Sequence, residues 1–78
     1  MQNENYQGYR NYATWSVAFW IMADDELYPL AKSFRDKGYQ AFTGHLEDTS
    51  MPLETVDGIS WNDPSLDTHA LNKLLRSI

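Results

Sequence analysis

The sequence predicts an all-α fold: a single small domain of about four short helices gathered around the segment from Trp15 to Ala23. Three observations point that way. Eight of the nine residues in that segment are apolar, and nine are too few for a bilayer span, which takes about 20. No second apolar run of matching length exists to pair with it as a strand, and a lone strand leaves its backbone donors and acceptors unsatisfied. Two other stretches, Leu27, Leu30, Ala31 and Phe34, then Leu66, Ala70, Leu71, Leu74, Leu75 and Ile78, repeat at helical spacing.

In the central segment Tyr12, Trp15, Ala18, Phe19 and Met22 fall on one helical stripe, which is expected to face the core. Val17 and Ile21 make a second row. Asn11 or Thr14 supplies the N-cap. On this reading Trp15→Ala should cost about 3–5 kcal/mol. Trp20 lies about 140° around the helix from Trp15. Plain burial is its simplest fate. If its ring is instead partly open, Trp20 is the candidate partner-binding residue, with Tyr9, Tyr12 and Tyr28 as neighbours, because tryptophan and tyrosine are common interface anchors.

The pattern Tyr12, Thr14, Trp15, Val17, Trp20 and Ile21, followed by Asp24 and Asp25, resembles a family of small proteins of unknown function found in bacteriophage and bacterial genomes. The later element Asp57, Gly58, Ile59 and Trp61 is similar to that family as well. The resemblance runs from about Tyr12 to the C-terminus. It implies a phage or mobile-element origin and names no activity.

Length and composition set further bounds. Seventy-eight residues are enough for one domain. The chain buries only about 60% of its unfolded surface on folding, and an aromatic content of 14% helps to offset that thin margin. There is no cysteine, which removes disulfides and thiolate metal sites and suits a cytoplasmic protein. The first ten residues are polar and lack a signal-peptide core, so residues 1–10 are expected to form a flexible arm and residues 11–78 the helical domain. A net charge of −5 argues against direct binding to nucleic acid.

Asp24, Asp25 and Glu26 place negative charge at the start of the second helix, with Pro29 confined to its first turn and Lys37-Gly38 as its stop. Tyr39, Phe42 and Leu46 mark a third helix. Asp57-Gly58 suits a type I′ turn and hence a minimal hairpin; a plain loop fits the same residues equally. Trp61 is expected to plug the bottom of the core. Asp63 as N-cap with Pro64 at the first helical position begins the fourth helix.

Catalytic and ligand-binding patterns are missing. His45 and His69 lack metal-ligand spacing, the consecutive acids do not form a calcium loop, no serine sits in a nucleophile elbow, and the four glycines make no phosphate loop. No enzyme activity, metal or cofactor is expected, and no membrane span. The function expected is a non-enzymatic module that binds and modulates, by inhibition, a host protein. Two alternatives stand beside it: an acidic DNA mimic that inhibits a nucleic-acid enzyme or defence nuclease, and a homo-oligomeric structural protein.

Overall fold

Asn11 opens the first helix. Its backbone is extended, and its side-chain Oδ1 accepts the Thr14 amide at 2.8 Å, so one of the orphan donors of the first turn is satisfied. In the computed structural model, which describes residues 8–49 and 54–78, four helices follow in order: α1 (Tyr12–Ala23), α2 (Leu27–Ser33), α3 (Tyr39–Asp48) and α4 (Thr68–Ser77). The fold is all-α, as the sequence predicts. The expected arm at residues 1–10 falls outside the described residues over positions 1–7; Tyr9 packs against the core, and exposed Arg10 reaches Asp67 at 3.6 Å. No helix among the described residues is long and apolar enough to cross a membrane.

α4 meets all three other helices, and α1 also lies along α2. The core is built from Val17, Ala18 and Ile21 of α1, Leu27 and Ala31 of α2, Tyr39, Phe42 and Leu46 of α3, and Leu71 and Leu75 of α4, with Trp61 and Leu66 from the connection. Phe42 is fully buried and stands edge-on to Trp61 at 6.4 Å, so Trp61 closes the core as expected. The Tyr39 hydroxyl donates to the Trp61 carbonyl at 2.6 Å, and burial pushes that phenol's pKa well up.

Three local expectations need correction. α2 stops at Ser33 instead of running to Gly38: the Phe34 amide bonds the Ala31 carbonyl in the tighter i−3 pattern, and residues 34–37 form a turn. That turn lets Phe34 pack on Phe42 and His45. Gly38, at φ +97°, then redirects the chain into α3. Having no side chain, Gly38 cannot cap; Asn72 of α4 accepts the Tyr39 amide at 2.7 Å in its place. The fourth helix begins at Thr68, four residues after the expected Pro64. Asp63 instead caps an isolated turn through Ser65, Leu66 enters the core, and Asp67 becomes the N-cap by accepting the Ala70 amide. Finally, Asp57-Gly58 is not a two-residue turn. Thr55 N–H bonds the Ile59 carbonyl and Gly58 N–H bonds the Thr55 carbonyl, so the loop is Val56-Asp57-Gly58 with glycine at φ +85°. A single bridge between Glu54 and Ser60 closes the minimal hairpin.

Candidate functional site: the outward face of the first helix

α1 contains no charged residue, so hydropathy alone does not orient it. Its small polar groups do. Thr14 and Ser16 are fully buried, and each ties the helix to a loop that would otherwise hang free. The Thr14 hydroxyl donates to Asn11 at 2.6 Å and accepts the Asp67 amide at 3.0 Å, which fixes the entry to α4. The Ser16 hydroxyl donates to Asp57 Oδ2 at 3.1 Å and lies 3.3 Å from the Thr55 hydroxyl. Ser16 has one proton and gives it to Asp57, so Thr55 is the donor to Ser16. Thr55 in turn accepts the Ile59 amide at 3.2 Å. This chain of hydroxyls seats the hairpin on α1.

With Thr14, Val17, Ala18 and Ile21 turned inward at i, i+3, i+4 and i+7, the large side chains are turned out. This overturns the expected orientation. Of the stripe assigned to the core, only Ala18 is buried; Tyr12, Phe19 and Met22 are 43%, 43% and 47% exposed, and Trp15 is half-buried. The physical reason is that β-branched and small residues let α2 and α4 approach closely, while the buried Thr14 hydroxyl finds its partners, Asn11 and Asp67, on that side. The cost expected for Trp15→Ala falls accordingly, since a half-buried ring leaves no closed cavity.

The outward rings form a continuous row. Tyr12 and Trp15 have centroids 5.7 Å apart; Trp15 and Phe19 stack at 5.2 Å; Phe19 and Trp20 meet edge to face at 5.1 Å. All are within the range of favourable aromatic pairing. Trp20 is neither closed off nor free. Its ring is half-buried, and its indole Nε1–H donates to Asp57 Oδ2 at 3.2 Å. Tyr12, Ser16 and Trp20 lie at i, i+4 and i+8, one above another, and all three hydrogen-bond the Asp57 carboxylate. The Trp20 bond leads those with Ser16 and Tyr12 in holding the Asp57 pKa below its ordinary value. Asp57 itself is exposed, so this charge stands open at the edge of the aromatic row.

Of the four residues singled out from sequence, the structure places Trp20 and Tyr12 together at this site. Tyr9 and Tyr28 are half-buried elsewhere, and among the described residues no ring contact joins either to the row. Sequence reasoning missed Phe19 and Met22 as surface residues and Asp57 as the acceptor that links the hairpin to α1. The only signal for the latter was that both stretches, 12–21 and 57–61, carry the family resemblance. Asp24, by contrast, caps as expected: its Oδ1 accepts the Glu26 and Leu27 amides at 2.8 and 3.1 Å. His45 lies against the Phe34 ring and His69 is exposed on α4; among the described residues no group of three or more His, Asp or Glu side chains is placed to hold a metal ion.

No curated protein and no solved structure matches the chain. One family model does, over residues 2–78, and so the chain belongs to the Family of unknown function (DUF7249).

Proposed function

We propose that the protein is a non-enzymatic protein-binding module of phage or mobile-element origin that docks on a host protein through the outward face of α1 and inhibits it. The observation that carries this reading is the exposure of Phe19 and Met22 on a helix without a charged residue. Apolar surface left open in a contiguous row marks interaction sites, because leaving it wet forfeits about 25 cal/mol for each Å². The row is also rich in tryptophan and tyrosine, the residues that most often carry interface energy. The origin rests on the resemblance of the stretches 12–21 and 57–61 to proteins encoded by phage.

The two other readings have less support. The acids are scattered, and Asp24, Asp63 and Asp67 are engaged in capping turns or helices, so they do not form the two charged rows a DNA mimic needs. A second copy fits the apolar row, but each chain brings a charge of −5, which opposes self-association at low salt.

The test is affinity capture from a bacterial host lysate with the parent chain and with Phe19→Asp as baits. Phe19 is exposed, so the variant should melt close to the parent. A protein held by the parent and lost from Phe19→Asp supports the reading. Capture that does not depend on Phe19, or no capture at all, contradicts it.

A further inference from the structure

We infer that the occupant of the α1 face is a basic protein segment that lays an arginine on the Trp20 ring and sets its guanidinium on the Asp57 carboxylate. This rests on the protein-binding reading above and adds the chemistry of the partner. Three features of the molecule lead there.

The first is the pairing of open aromatic surface with an exposed carboxylate. Asp57 Oδ2 sits 3.2 Å from the Trp20 indole nitrogen, at the edge of that ring. A planar cation lying over the ring face therefore reaches the carboxylate without leaving the aromatic surface. Rings attract cations through their negative faces, and guanidinium adds stacking on the ring that an ammonium lacks.

The second is that the carboxylate is held ready. Trp20, Ser16 and Tyr12 fix it in place, and a carboxylate offers about four acceptor positions, so three donors leave room for a fourth. Its lowered pKa keeps the negative charge present at neutral pH. Little ordering is then needed when a cation arrives.

The third is the sign of the charge around the α1 face. α1 and the hairpin residues 54–60 hold Glu54 and Asp57 and no cation, and Asp24, Asp25 and Glu26 follow the C-terminal end of α1. The cations lie outside α1 and the hairpin. Lys32 is on α2 and Lys73 on α4, while Arg35, Lys37 and Arg76 line an open cleft of about 540 Å³ beside Gly38. Arg10 is already paired with Asp67. The face is complementary to a basic segment and unsuited to an acidic one.

The experiment is a proton–nitrogen NMR titration of the full chain with the peptide Gly-Gly-Arg-Gly-Gly and with its citrulline analogue, which has the same shape and no charge. The arginine peptide should shift the Trp20 indole signal saturably, and the citrulline peptide should bind at least about tenfold more weakly. Asp57→Asn keeps an oxygen acceptor for Trp20 and Ser16 but removes the charge; it should weaken arginine binding by about tenfold, while Asp48→Asn, an exposed carboxylate at the C-terminal end of α3, changes it by less than about twofold. Equal binding of the two peptides overturns the inference, as does an Asp57→Asn chain that binds like the parent. Should Asp57→Asn fail to fold, the two peptides on the unaltered chain still decide. In the capture assay, a protein lost from Phe19→Asp but kept by Asp57→Asn overturns this inference and leaves the binding reading intact.

Discussion

Phe42→Ala should remove about 3–5 kcal/mol of stability, the largest single loss expected in this chain. Phe42 has no solvent exposure, and its ring centroid lies 6.1 Å from that of Phe34, 6.0 Å from that of Tyr39 and 6.4 Å from that of Trp61, so truncation opens a cavity walled by three aromatic side chains. Those walls come from the α2–α3 turn, from α3 and from the segment before α4, and they cannot all collapse inward without breaking the Tyr39 hydroxyl bond to the Trp61 carbonyl. A domain of this size holds only about 5–15 kcal/mol in total. The variant should melt lower by roughly 15 °C or more in a thermal scan followed by circular dichroism. A Phe42→Ala chain that melts within about 3 °C of the parent would mean that α3 does not carry the core.

Ile21→Ala and Phe19→Ala should separate in the opposite order to their side-chain sizes. Ile21 is fully buried and its truncation should cost about 2–5 kcal/mol. Phe19 is the larger residue but 43% exposed, packed chiefly on Trp15 and Trp20, so its loss should cost about 1 kcal/mol or less. Urea melts with a common slope give both values directly. If Phe19→Ala were the more damaging, α1 would face the core through its aromatic row.

That order is what sequence alone reads wrongly, and the reason is specific. The segment from Tyr12 to Ala23 is apolar around its whole circumference, and periodicity orients a helix only when one face is polar. Two different stripes therefore fit the helical template, one through Trp15 and Phe19 and one through Thr14, Val17, Ala18 and Ile21. Size favours the first; the buried hydroxyl of Thr14 settles the second, but the Asp67 amide it accepts lies 53 residues away in sequence. Where one face is polar the reading is sound: α3 buries Tyr39, Phe42 and Leu46 and α4 buries Leu71 and Leu75, as spacing requires. Helix ends depend on local chemistry that tertiary contacts override. Asp63-Pro64 is a good start signal, yet Leu66 is drawn into the core and the Asp67 amide to Thr14, which defers α4 to Thr68. The site was half legible: Trp20 and Tyr12 stand out by residue type, while the carboxylate that joins them is 37 residues beyond Trp20 and shares no local pattern with it.

The outward turn of α1 is tested most directly by solvent paramagnetic relaxation in methyl-labelled protein. With a soluble paramagnetic agent, the Met22 methyl should relax nearly as fast as the methyls of Val56, which is 80% exposed at the hairpin tip, while the methyls of Val17 and Ile21 stay protected. A protected Met22 methyl together with relaxing Val17 and Ile21 methyls would contradict it.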